Sequence, residues 1–255
     1  MEDREAQAIF SQILNIGENM LRAGGEVYRV EDTINRLIIA YGGEKPHVFA
    51  IPSNIIATAV FNGTEITHSR RVVTPSIDFE MLDRMNDLAR QICRDKPSSV
   101  QVKRMIDEAM SMKKYNHFWK SVTFALVSSS FALFFGGSFM DAVSSAVIGV
   151  VLYGAMNAIR AVGGNVIFVN IICAAISALL ALTSVKLGIA QDADKIIIGN
   201  VMLLIPGVEL VNGMRDFIAG DVQAGIMHIT EALFLAICIA IGAAGVLTLI
   251  GGAHI

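Results

Sequence analysis

From about Lys120 onward the chain is almost continuous apolar sequence rich in Gly, Ala and Ser, and that run dictates its solvent. A bilayer offers no water to backbone N–H and C=O groups, so such a run has to close its hydrogen bonds within helices. A crossing needs about 20 predominantly apolar residues. The stretches that qualify are Val122–Phe139, Ala142–Ile159, Asn165–Val185, Ile196–Gly213 and Gly225–Ile250, the last long enough to tilt. Small residues at Ser128–Ser130, Ser144-Ser145-Ala146 and Ala174–Ala181 let such helices approach closely. The expected class is an α-helical polytopic membrane protein of about five transmembrane helices over residues 115–255, preceded by a soluble α+β domain over residues 1–114.

Inside this apolar half sit two carboxylates, Glu209 and Glu231. The segment Leu203–Ala224 reads LLIPGVELVNGMRDFIAGDVQA, an apolar run interrupted at Pro206-Gly207 and followed by Glu209, Asn212, Arg215 and Asp216 at helical spacing. A charge at mid-bilayer costs roughly 2.5–3.5 kcal/mol on insertion scales, so it persists where it faces a cavity, a partner or a transported solute. Pro cannot donate the helix hydrogen bond and Gly tolerates an unwound turn, so the break frees carbonyls at membrane depth. Broken helices of this kind build the midplane sites of many secondary transporters. Glu209, Asn212 and Arg215 would lie on one face at i, i+3 and i+6, supplying a titratable acceptor, a neutral donor-acceptor and a cation. A carboxylate solute needs the cation, and a zwitterion also needs an anion for its ammonium. Glu231 supplies a second titratable group, with Asn157 and Asn200 as further polar candidates and Arg160 and Asp221 as a cytoplasmic gate.

Each of these residues also has a plainer explanation. Pro206-Gly207 can be a packing kink. Arg215, Asp216 and Asp221 can be an interfacial ion-pair group. Asn157, Asn170 and Asn200 can hydrogen-bond between helices, and His228 can pair with Glu231 one turn away.

Charge placement sets orientation. Lys113, Lys114, Lys120, Arg160 and Arg215 fall on one side, whereas Asp141, Lys186, Asp192, Asp194, Lys195 and His254 fall on the other. The Lys/Arg excess puts the N-terminal domain in the cytoplasm and the C-terminus outside. The N-terminus MEDREAQAIF is acidic and amphipathic, without a basic region before an apolar one, so no signal peptide is expected. Cys93, Cys173 and Cys238 are scattered singly, which argues against a disulfide framework. No cofactor or metal motif occurs, and no GxxxxGK[ST] run that would point to nucleotide-driven pumping. A slightly acidic balance gives no nucleic-acid footprint.

In the first hundred or so residues, Ile9, Ile13, Ile16, Met20 and Leu21 predict a helix stopped at Gly24-Gly25. Val27, Val30, Ile34, Leu37 and Ile38 predict a second, ending at Gly42-Gly43. Three β-rich runs follow, His47–Ile51, Ile55–Phe61 and Thr64–Val72, with Asn62-Gly63 as a hairpin turn. Helices over about Asp78–Arg94 and Ser99–Lys114 lead through Tyr115-Asn116-His117 into the first span, either a rigid connection that would transmit domain rotation or the stem of a passive cap that shields apolar surface or aids assembly.

The string PGVELVNGMRDFIAGD, with Glu231-Ala232 ten residues further on, resembles the threonine/serine exporter family of bacterial membrane proteins, and so does AGGEVYRVEDTINRL at Ala23–Leu37. The resemblance covers essentially the whole chain. It implies a multi-pass protein of the bacterial inner membrane, with a cytoplasmic N-terminal domain followed by a five-helix unit. Full-length members look like a fusion of this unit with a second, shorter one. This chain resembles the split form, in which a large subunit pairs with a small separate membrane subunit, and some split members resemble dicarboxylate (succinate) exporters. Two five-span units joined in sequence would form an inverted repeat, so a second small membrane subunit, or a homo-oligomer, is the expected partner.

Three functions compete on the sequence. The first is an ion-gradient-coupled exporter of threonine, serine or a succinate-like solute, not an enzyme. The second is a membrane-anchored hydrolase, for which His47, Ser53, His68 and Asp32 would have to converge although no GxSxG or HExxH motif is present. The third is a non-transporting assembly subunit.

Overall fold

The computed structural model describes residues 3–73, 77–111 and 115–251. Lys113, Lys114 and His254, used above for orientation, lie outside them. The described chain is mostly helical with one small sheet. Its contacts divide it into two units, one of Met1–Lys113 with Gly207–Thr230, the other of Lys114–Pro206 with Glu231–Ile255. Gly207–Thr230 thus groups with the N-terminal residues, a division that a single cut at 114/115 does not draw.

In the first unit, α1 (Asp3–Arg22) and α2 (Val27–Ala40) form where the apolar spacing predicts them. Ile9, Ile13, Ile16 and Met20 of α1 face Val27, Val30, Ile34 and Leu37 of α2 in one buried core. Burying such side chains is worth about 1.5–3 kcal/mol each. The sheet is an antiparallel meander of β1 (Glu44–Ile51), β2 (Asn54–Phe61) and β3 (Thr64–Arg71). Asn62 (φ 52°) and Gly63 (φ 80°) close the β2–β3 hairpin in register, Phe61 opposite Thr64. Both take positive φ, as that two-residue turn requires. Ile55, Ala57, Ala59 and Phe61 alternate onto the core face. Helices α3 (Phe79–Asp95) and α4 (Ser99–Ser111) complete the layer, adding Met85, Leu88, Ile92, Val102 and Ile106.

The second unit is helical. It holds α5 (His117–Phe134), α6 (Phe139–Ala161), α7 (Val166–Lys186) and α8 (Ala193–Val201). Of the remaining helices, α9 (Gly207–Ala219) lies in the first unit, and α10 (Val222–Val246) begins there and continues in the second. A π-helical turn at Leu247–Gly251 follows α10. The second unit buries polar side chains beside an apolar cluster that includes Ile148, Leu152, Val169 and Ile196. On α6 the buried residues include Asp141, Ser144, Ser145 and Gly149, while Val143, Val147, Val150 and Val151 are exposed. Ser128 Oγ donates to the Ser145 carbonyl at 2.9 Å, and Ser145 Oγ donates back to the Ser128 carbonyl at 3.0 Å. Interhelical bonds of this type average about 0.6 kcal/mol in membranes. Asp141 caps α6 through Ser138 and accepts from the Gln191 and Asp192 amides at 2.7 and 3.1 Å, pinning the α7–α8 loop.

Among the described residues, the helices long and apolar enough to cross a membrane are Phe139–Ala161, Val166–Lys186 and Val222–Ile250. The other two expected crossings differ. Helix α5 starts at His117 rather than near Val122 and stops at Phe134, before the Gly136 turn (φ 88°), and Lys120, Thr123 and Ser128–Ser130 dilute its apolar character. The expected fourth span is two pieces of 9 and 13 residues, each short of a crossing on its own. Residues 112–114 of the expected helical link lie outside the described residues, and Tyr115 and Asn116 (φ −62°, ψ 147°), which precede α5, are not helical.

Candidate functional site

The apolar run breaks where its Pro-Gly pair sits. Helix α8 ends at Val201, residues 202–205 make tight turns, and Pro206, buried and without an N–H, precedes α9. One turn before the break, the Asn200 amide is fully buried. Its Nδ2 donates to the Ile196 carbonyl at 2.9 Å and to Ser145 Oγ at 3.1 Å, which fixes the amide's orientation and leaves Oδ1 without a partner. Asn157 is half-buried and donates to the Tyr153 carbonyl of its own helix at 2.8 Å. Arg160 is exposed in the last turn of α6, and Glu231 is exposed on α10.

On α9, the first unit brings together what the sequence holds far apart. Asn212 Nδ2 donates to the Gly24 carbonyl at 2.9 Å across 188 positions. Arg215 pairs through Nη1 with the Glu26 carboxylate, which also receives Arg29 Nε at 2.8 Å. The turn that presents these acceptors depends on Gly24 (φ 89°) and on Gly25, where a Cβ would lie 2.9 Å from the Met20 carbonyl. The two motifs, Ala23–Leu37 and Pro206–Asp221, therefore form one locus. Arg215, expected as a free cation for a solute carboxylate, is already engaged.

Asp216 is fully buried, and its Oδ2 lies 2.9 Å from His228 Nδ1. His228 thus pairs with Asp216 across the Gly220-Asp221 turn, not with Glu231. Close backbone approach makes this possible: a Cβ on Gly213 would lie 2.8 Å from Ile229 Cγ1 and 3.2 Å from His228 Cβ. The Asp221 amide closes the turn on the Asp216 carbonyl at 2.9 Å. Asp216 Oδ1 and Glu209 Oε2 are both buried without a hydrogen-bond partner.

Glu31, a residue the sequence reading did not select, joins this field from α2. Burial pushes its carboxyl up, the Ala50 amide donating at 2.6 Å partly offsets this, and the charges of Asp221 and Asp216 add to the rise. Burial and then Asp216 push the Asp221 carboxyl up as well. In the sequence Glu26 is only the residue after the Gly24-Gly25 helix stop. No local spacing rule reaches the Asp216–His228 pair, because twelve residues and a reversal of direction separate its members.

The residues a hydrolase would need are occupied otherwise. Asp32 pairs with Arg36 at 2.8 Å on an exposed face, and His68 stands edge-on to Phe10 with ring centroids 5.4 Å apart. Ser53 lies in the β1–β2 turn and His47 opposite Thr58, and no hydrogen bond joins any two of these four among the described residues.

A profile of the protein family described as "Putative threonine/serine exporter" matches residues 11–250. The "Probable threonine/serine exporter" of Mycobacterium tuberculosis (strain ATCC 25618 / H37Rv) is 23% identical over 245 residues, which cover 95% of this chain and 46% of that protein. The chain thus spans about half the length of the curated relative it matches. No solved structure matches it.

Proposed function

Because this chain belongs to the threonine/serine exporter family, we propose that it is a secondary-transporter subunit that moves a small solute outward at the expense of an ion gradient. The solute is threonine or serine, with a small dicarboxylate such as succinate as the other member of the same recognition class. The observation that carries this reading is Glu209 at the start of α9: a carboxylate oxygen buried without a partner, three residues past Pro206, where one apolar run becomes two helices. An unpaired buried acceptor is destabilising by about 1–3 kcal/mol, so it marks a place that a proton, a cation or a solute ammonium visits.

Recognition of the solute carboxylate falls to Arg215. At rest its guanidinium is held by Glu26, and a solute carboxylate competes for the same fork. Asn212, tied to the Gly24 carbonyl, opens with it. In this scheme α5 and the broken pair α8–α9 complete five crossings with the three long apolar helices, the N-terminal residues face the cytoplasm, and Glu231 serves as the second titratable group. A partner membrane subunit, or a second copy, supplies the other half of an inverted repeat.

The test is counterflow of labelled serine, threonine and succinate in proteoliposomes, with and without a candidate small membrane subunit of the same family. Glu209→Gln should abolish gradient-driven export while the protein still folds, and Arg215→Lys should raise the solute concentration needed, because a point charge replaces a bidentate fork. Parental rates with unchanged pH dependence in both Glu209→Gln and Glu231→Gln would sink the coupling role. That result would favour an assembly subunit, a reading to which the engagement of Asn212 and Arg215 within the first unit lends support.

A further inference from the structure

We propose that Asp216 and His228 form a proton-binding site at the junction of the two motifs, distinct from Glu209. This rests on the ion-coupled reading above and names a second residue pair that handles the proton. The geometry is that of a built site. Asp216 is 0% exposed, its Oδ2 shares a hydrogen bond with His228 Nδ1, and its Oδ1 has no partner. A buried carboxylate with one satisfied and one bare oxygen has a vacancy that a proton fills with no change in packing. The hydrogen bond holds one proton between Oδ2 and Nδ1. Uptake of a second raises the net charge of the pair by one, and its release restores the starting state.

The surroundings favour exchange of a proton over a fixed ion pair. Glu31 faces the pair from α2, Asp221 faces it from the α9–α10 turn, and Arg215 is adjacent on α9 but committed to Glu26 at the start of α2. Three carboxylates therefore share one field with a single imidazole, and an added proton relieves repulsion among them. Burial is the larger cause of the raised Glu31 and Asp221 carboxyls, and the neighbouring carboxylate charges add to the rise in each. A metal ion is a poorer occupant, since no group of three or more His, Cys, Asp or Glu side chains among the described residues has metal-binding geometry.

Labelled-histidine NMR of the full-length protein in detergent tests the site without transport. The chain has five histidines, and His228→Gln assigns the signal by its disappearance. The expected result is a His228 signal that moves with pH in the parent, with a pH response displaced in Asp216→Asn and displaced less in Glu31→Gln. A His228 response identical in the parent and in Asp216→Asn overturns the proposal, whatever transport shows. The functional arm is the pH profile of export in proteoliposomes. Asp216→Asn and His228→Gln should flatten it. A pH profile with the parental slope in both variants also overturns the site. Absence of counterflow in the parent with every solute and partner refutes the exporter reading instead, and the NMR result then stands by itself.

Discussion

The bond between Glu26 and Arg215 allows the meeting of the two motifs to be tested as an energy. The Glu26 side chain is 8% exposed and Arg215 53% exposed, so the carboxylate depends on its partners more than the guanidinium does. Hydrogen bonds to charged groups are worth about 1.5–3 kcal/mol. Half-exposure of Arg215, and the retention of Arg29 on Glu26 when Arg215 is removed, place this bond at the low end, near about 1.5 kcal/mol. Native-state hydrogen exchange over the 207–219 helix reads the opening free energy of that segment directly. Arg215→Gln should speed exchange there about tenfold, as about 1.4 kcal/mol implies. Glu26→Gln should do at least as much, because it also strands Arg29. The decisive quantity is the double variant, whose exchange should be no faster than that of the worse single. If the two single effects instead multiply, the residues act independently and the motifs do not form one locus.

Two further outcomes follow from named contacts. At Gly199 a Cβ would lie 2.7 Å from the Ser128 carbonyl and 2.9 Å from the Ala132 amide, backbone atoms that cannot give way, so Gly199→Ala should cost about 1–3 kcal/mol and lower the yield of folded protein in detergent; Gly154→Ala, with open space around it, is the neutral control. For Glu31, whose carboxyl is raised above its ordinary 4.5, the contribution to stability is fully present below that value and is lost as pH rises through the raised one. Glu31→Gln keeps an acceptor for the Ala50 amide and removes the charge, so its melting temperature should gain on the parent's as pH rises from about 4 to 7; a difference independent of pH would refute the assignment.

What was legible in the sequence was local. Asn62-Gly63 fixed a two-residue hairpin because few other residue pairs adopt positive φ twice in succession. Pro206-Gly207 marked the broken helix because the proline has no N–H to give. The apolar spacing of Ile9, Ile13 and Ile16 or of Val30, Ile34 and Leu37 marked buried faces because period and burial are the same signal. What escaped was long-range or depended on direction reversal. Nothing in AGGEVYRVEDTINRL says that Gly24 and Glu26 are acceptors for Asn212 and Arg215, since those bonds need both turns to be placed first. His228 was assigned to Glu231 by helical proximity, yet a tight turn at Gly220 and the missing Cβ at Gly213 bring Asp216 within 2.9 Å. Two of the five expected crossings differ in their bounds for a similar reason, because their hydropathy windows run through Gly136 and through the break, where the backbone turns.

The two bare carboxylate oxygens lie seven residues apart on α9, at Glu209 and Asp216. At 3.6 residues per turn that spacing returns to the same face after two turns, with about 10 Å of axial rise. Each oxygen forgoes about 1–3 kcal/mol of pairing, a sacrifice that packing alone does not explain. If both serve one proton path, they act in series, and removing either already stops the flow. Asp216→Asn alone should then lose gradient-driven export as completely as Glu209→Gln does. Two independent proton sites would leave Asp216→Asn with residual gradient-driven export, and a purely structural Asp216 would leave export by Asp216→Asn proportional to the amount of folded protein. Initial export rates from proteoliposomes, normalised to folded protein and taken at two pH values, separate the three cases. Residual gradient-driven export in Asp216→Asn, or proportionality to folded protein, refutes the shared path along α9.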